Sequence, residues 1–312
     1  MTAVKTNGIE IEYSDSGPRD GPVIMLIMGL GMQLVAWPDA FCEGLAARGF
    51  RVIRFDNRDA GLSTKMRSAG RLPMAPLMAL ALLGLRVRPP YTLNDMASDT
   101  LGLTDALGID RAHIVGASMG GMIAQIVAAE RPDRVESLVS LFSTTGNPAL
   151  PGPEPKVLRA LIRRRRRSDP ARAVQETMGF LRLIGSPGFP TSESELRNKV
   201  ERSIRRCYYP QGFTRQLLAI LTAPDRTPML RRIRAPTLVL HGAEDPFIPP
   251  AAAKDTAASI PGARLRIIPG MGHDLPGALL PLLVDEIAGH CLGAEEKARG
   301  ASVARRAAGG LP

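Results

Sequence analysis

Short apolar runs alternate along this chain with longer stretches patterned as helices, and no other feature restricts its fold as much. Strands are predicted at Ile9–Tyr13, Val23–Met28, Arg51–Asp56, His113–Ala117, Val135–Phe142, Thr237–His241 and Arg264–Ile268. Helical patterns lie at Trp37–Arg48, Leu93–Leu107 and Met119–Glu130. Strands separated by helices must be buried on both faces, which predicts an α/β fold with a mostly parallel central sheet flanked by helices. The stretch from Met119 to Ala129 is apolar nearly all round, as expected of a helix packed deep against such a sheet.

The alternation lapses after the fifth strand. From about Gly146 to Arg232 the sequence reads as helices broken by Pro/Gly clusters at Pro148–Pro155 and Gly185–Pro190, the pattern of a helical cap inserted into the core. The predicted organisation is a first core segment over 1–145, a cap over 146–232, a second core segment over 233–293 and a disordered tail over 294–312. A chain of 312 residues suits one catalytic domain carrying such an insertion. The Leu/Met-rich insert Leu72–Val87 is interrupted by Pro73, Pro76 and Gly84 and falls short of the ~20 apolar residues that span a bilayer. It is expected either to line the entrance to a site or to pack in the core.

Charge is unevenly spread. Of 40 Lys and Arg and 30 Asp and Glu, residues 147–234 hold 19 and 7, so the net charge of +10 arises wholly in that segment, nearly all of it the cap. Its densest part, Arg163–Arg167, is expected to be a solvated face. Neither interleaved aromatic residues nor a nucleic-acid-binding module accompanies it, so no nucleic-acid partner is expected. With Cys42, Cys207 and Cys291 alone there is no disulfide framework and no paired-cysteine metal site, and Met1–Gly8 has no apolar run of the kind found in secretory leaders. A cytoplasmic location is the expectation.

The segment Gly116–Ala–Ser–Met–Gly120 carries G-x-S-x-G at a predicted strand-to-helix junction, where a tight turn would thrust the Ser118 hydroxyl out of the sheet. Such a serine needs a base. The histidines are His113, His241, His273 and His290; the first opens a core strand, the second ends one and the last lies on the final helix. His273 instead sits in the Gly-rich loop Pro269–Gly–Met–Gly–His–Asp274 after the last strand, where catalytic loops gather. The orienting carboxylate is expected from His241–Gly–Ala–Glu–Asp–Pro246, with Asp245 the candidate and Glu244 its competitor. The chain order Ser118, Asp245, His273 is the one expected of this fold. Oxyanion donors are expected from the backbone N–H of Met119 and from the loop Met28–Gly–Leu–Gly31, where the Leu30 N–H is the choice.

On these residues the chain resembles the α/β-hydrolase superfamily from about Gly8 to Gly293, and within it the aclacinomycin methylesterase-like esterases. Further carriers of the likeness are Trp37–Pro–Asp39, Phe55–Asp–Asn–Arg–Asp–Ala–Gly–Leu–Ser63, Tyr91–Thr–Leu–Asn–Asp–Met–Ala97 and Gly270–Met–Gly–His273. The resemblance implies an α/β-hydrolase fold, a triad at Ser118, Asp245 and His273, and oxyanion donors at Leu30 and Met119. Many members carry His before the oxyanion-loop glycine, where this chain has Met28, so the loop's side-chain support is in question. The Asp56–Ser63 turn is expected to be structural. The implied activity is hydrolysis of a small-molecule carboxylic ester through an acyl-enzyme, with no metal or cofactor, and the cap and the 72–87 insert would suit an ester with a bulky apolar acyl or alcohol group. Carbon–carbon bond hydrolysis or cofactor-free perhydrolysis on the same triad is the alternative, and an inactive binding protein with a basic cap a more distant one.

Overall fold

The computed structural model describes residues 2–67, 76, 77, 80, 87–163 and 170–308. Nearly all of the 72–87 insert, and the arginine run beyond Arg163, lie outside the described residues. Eight strands form one sheet: β1 (Thr2–Thr6), β2 (Ile9–Ser16), β3 (Val23–Ile27), β4 (Arg51–Phe55), β5 (Ala112–Ala117), β6 (Val135–Leu141), β7 (Thr237–Gly242) and β8 (Arg264–Ile268). Their order is β1-β2-β4-β3-β5-β6-β7-β8. The first two strands pair antiparallel, as do β2 and β4, and every later pairing is parallel.

The helices are α1 (Asp39–Ala46), α2 (Leu93–Ala106), α3 (Met119–Glu130), α4 (Pro155–Arg163), α5 (Pro170–Ile184), α6 (Glu193–Arg206), α7 (Pro210–Leu221), α8 (Thr227–Leu230), α9 (Ala251–Ser259) and α10 (Leu280–Ala308). Two apolar clusters, one on each face of the sheet, form the core. On one face α2 and α3 cover Met25, Ile53 and Ile114; on the other α1 and α10 cover Leu26, Val52 and Val139. Each of these side chains is fully or almost fully buried, worth about 1.5–3 kcal/mol apiece. Helix α2 starts where Thr92 and Asp95 form a capping box, the Asp95 N–H donating to Thr92 Oγ1 and the Thr92 N–H to the Asp95 carboxylate.

Two elements depart from the sequence expectations. Strand β1 was not expected; it is turned into β2 by Asn7 and Gly8, both left-handed at φ 48° and 73°, the two-residue Asn-Gly turn that matches strand twist. The tail from Ala294 was expected to be disordered, yet α10 runs on to Ala308. Its sequence Ala–Glu–Glu–Lys–Ala–Arg is made of strong helix formers, Ala294 is buried, and Arg299 pairs with Glu295 one turn back. The stretch Gly277–Gly300, most of it in α10, is long and apolar enough to cross a membrane, but Leu283, Val284, Ile287 and Cys291 fill the core, which accounts for its apolar face.

Helices α4 to α8 occupy the chain between β6 and β7. They are tied to the core through the turn after β4. Arg206 of α6 donates to Asp56 at 2.7 Å, and Arg215 of α7 donates to Asp59 at 2.8 Å. Asp56 also accepts the backbone N–H groups of Leu34 and Leu62, and Asp59 accepts Tyr91 Oη–H. The turn is thus a structural joint between core and cap.

Candidate active site

Steric crowding shapes the junction of β5 and α3. A Cβ on Gly116 would lie 2.1 Å from the Gly120 carbonyl oxygen, and one on Gly120 would lie 2.0 Å from that of Ile27. Between them Ser118 is held at φ 56° and ψ −120°, a backbone conformation that L-residues rarely adopt and that here is enforced by its neighbours. Its N–H donates to the Leu141 carbonyl, and its own carbonyl accepts from Ser143 Oγ–H and the Gly121 N–H. These bonds aim Ser118 Oγ away from the sheet.

His273 reaches this hydroxyl from the loop after β8, with Nε2 3.0 Å from Ser118 Oγ. Its other nitrogen, Nδ1, is 2.7 Å from Asp245 Oδ2 in the loop after β7. A carboxylate can only accept, so the proton between them resides on Nδ1, and Nε2 is left to accept from the serine hydroxyl. The remaining Asp245 oxygen accepts the N–H groups of Phe247 and Ile248, both at 2.9 Å. The imidazole lies between the rings of Phe142 and Phe247, with centroids 4.8 and 5.0 Å away. The loop carrying it is docked on the cap: the His273 N–H donates to the Ile184 carbonyl and the Gly272 N–H to Ser186 Oγ.

The structure therefore brings Ser118, Asp245 and His273 together. Glu244 is directed elsewhere and accepts the Gly270 N–H at 2.6 Å. Buried His113 meets Ser137 Oγ, and burial holds its pKa down to about 4. His290 donates to the Pro236 carbonyl, far from the serine in the fold. His241 donates from Nε2 to the Ile248 carbonyl and lies 3.4 Å from the Asp245 carboxylate, so it braces the loop; burial lowers its pKa. Met119 is the first residue of α3, and Leu30 borders the cavity onto which Ser118 opens.

That cavity has a volume of about 110 Å³ and lies between the sheet and the cap. Its walls are mainly apolar, with Met28, Phe142, Phe180, Phe213 and Phe247 among them. Lys199 and Asp274 add polar edges; burial lowers the pKa of the lysine and raises that of the carboxyl. Sequence reasoning missed the two phenylalanines that flank the imidazole, since isolated Phe residues carry no signal that separates a site wall from a core position. Among the described residues no group of three or more His, Cys, Asp or Glu side chains is placed to hold a metal ion.

The profile of the alpha/beta hydrolase fold family matches residues 22–276. The chain belongs to that family. Rhodomycin D methylesterase DauP from Streptomyces sp. is 31% identical to this hydrolase over 295 residues, covering 88% of this chain and 91% of its own. A 2-hydroxy-6-oxononadienedioate/2-hydroxy-6-oxononatrienedioate hydrolase from Burkholderia vietnamiensis is 28% identical, covering 85% of each chain. Among solved structures, the enol-lactonase from Burkholderia xenovorans LB400 superposes with a TM-score of 0.71 at 24% identity, covering 93% of this hydrolase and 99% of the lactonase; that likeness concerns the fold.

Proposed function

We propose that this hydrolase cleaves a small, predominantly apolar carboxylic ester by way of an acyl-enzyme. The observation that carries the proposal is the single imidazole bridging Ser118 Oγ at 3.0 Å and Asp245 at 2.7 Å at the floor of an apolar cavity. His273 Nε2 takes the serine proton as Oγ attacks the ester carbonyl, and Asp245 stabilises the imidazolium that forms. The tetrahedral oxyanion is met by the N–H groups of Met119 and Leu30, donors of a kind worth roughly 3–4 kcal/mol each. The imidazolium then protonates the departing alcohol, and water, deprotonated by the same nitrogen, repeats the attack and releases the acid. Similarity to a methylesterase supports the ester as substrate.

The test is Ser118→Ala. The variant should fold as the parent does, lose labelling by a fluorophosphonate probe, and lose several orders of magnitude in kcat on an ester panel. Persistent labelling would rule out Ser118 as nucleophile. The similarity to a carbon–carbon bond hydrolase supports a second reading, and turnover of vinylogous diketones in preference to matched esters would establish it.

A further inference from the structure

The loop Met28–Met32 must hold one N–H aimed at the oxyanion, and it carries no histidine to brace it. Three hydrogen bonds fix it instead. Asn57, in the turn after β4, donates from Nδ2 to the Met28 carbonyl at 2.9 Å. Gln216, on cap helix α7, accepts the Gly31 N–H at Oε1 at 2.7 Å. The Met32 N–H donates to the Gly29 carbonyl at 3.2 Å, which closes a turn. The N–H of Leu30 is trans to that Gly29 carbonyl across one planar peptide, so holding the carbonyl fixes the opposite direction of the N–H. Gly29 itself packs against Ser118, where a Cβ would lie 3.1 Å from that of the serine.

Both amide side chains are held at their far ends or by their surroundings. Gln216 is 1% exposed and donates from Nε2 to the Arg58 carbonyl at 2.8 Å; Asn57 is 3% exposed. A primary amide between one N–H donor and one carbonyl acceptor has a single satisfied orientation, so Gln216 cannot turn without orphaning a buried group. It also spans two pieces of chain that the fold brings together, the oxyanion loop after β3 and the joint after β4, from an element of the cap.

We propose that Gln216 and Asn57 are positioning residues for the oxyanion loop, so that the cap, through Gln216, completes the oxyanion site as well as covering it. This rests on the proposed role of the Leu30 N–H. The side chains touch no reacting atom. They hold the loop in the form that meets charge as it develops, and an unbraced loop would reorganise at the moment of reaction.

The experiment compares Gln216→Met and Asn57→Leu, both close to isosteric, with Arg202→Gln, which breaks the exposed ion pair between the cap and Asp39 of α1. Five quantities are read: fluorophosphonate labelling, kcat and KM on one ester, Ki for a trifluoromethyl ketone that the serine converts to a tetrahedral adduct, and, in a Ser118→Ala background, Kd for the intact ester. The amide variants should still label, lose about 10- to 100-fold in kcat and in ketone affinity, and keep KM and ester Kd within about threefold. Arg202→Gln should leave the Tm little changed and kcat within about threefold. Equal losses of ester and ketone affinity, or amide variants no worse than Arg202→Gln, would overturn the proposal. Failure of the parent protein to label would instead remove the serine-hydrolase reading beneath it.

Discussion

At the scale of single residues, the two neighbouring carboxylates after β7 give the sharpest expectation. Asp245→Asn should keep the fold but lower kcat by about 10⁴, because an amide no longer secures the tautomer that leaves Nε2 free to accept. Glu244→Gln should stay within about threefold, since that side chain serves the Gly270 N–H. Steady-state kinetics on one ester checks both, and a worse defect at Glu244 would reverse the assignment. Ser118 was legible in the sequence because the crowding at Gly116 and Gly120 permits no other residue type there, so the physics is written into the letters. Asp245 over Glu244 was legible only as a preference. The choice depends on the loop register set when the Ala243 N–H meets the Ile268 carbonyl and the Glu244 N–H meets that of Met271, partners that a linear reading does not supply.

At the scale of elements, β3, β5, β6 and β7 were legible because nearly continuous burial writes continuous apolar runs, whereas β2 shows alternation at its start and β8 is buried only at its end. Strand β1 was not, although its Asn7–Gly8 turn was a usable signal; Thr2–Thr6 is an edge strand with no buried residue and so lacks the apolar mark. The attachment of the cap was hidden for a different reason: each anchoring pair joins residues that are 150 or more positions apart. Arg215→Met should lower the unfolding free energy by about 3–5 kcal/mol, because it strands a buried Asp59 carboxylate. Arg202→Gln, which breaks an exposed pair between the same cap and Asp39 of α1, should cost no more than about 1 kcal/mol. Urea denaturation of the two variants measures the contrast, and similar losses would show that burial of the pair does not govern the attachment.

For the whole molecule, three histidines outside the proposed site, His113, His241 and His290, have pKa values lowered by burial. Below pH 6.5 the unfolded chain binds protons that the folded one refuses, so stability falls as pH drops from there, until each folded-state value is passed. For His113, between 6.5 and about 4, the loss amounts to roughly 3 kcal/mol. Asp99 and Asp274, raised by burial, act in the opposite sense, so the net slope is smaller. Unfolding free energies at pH 7.5 and 5.0 should therefore differ less in His113→Leu than in the parent, and an unchanged difference would show that His113 does not titrate in this window. The buried pairs of Asp56 with Arg206 and Asp59 with Arg215 also constrain ancestry. A recombination event that drew the turn from one parent and helices α6 and α7 from another would leave a buried charge without its mate wherever the parents differ at these positions. The turn and the two helices thus pass together as a unit, although residues 64–192 lie between them, and a chimera made by exchanging caps keeps its footing only if residues 55–63 travel with the cap.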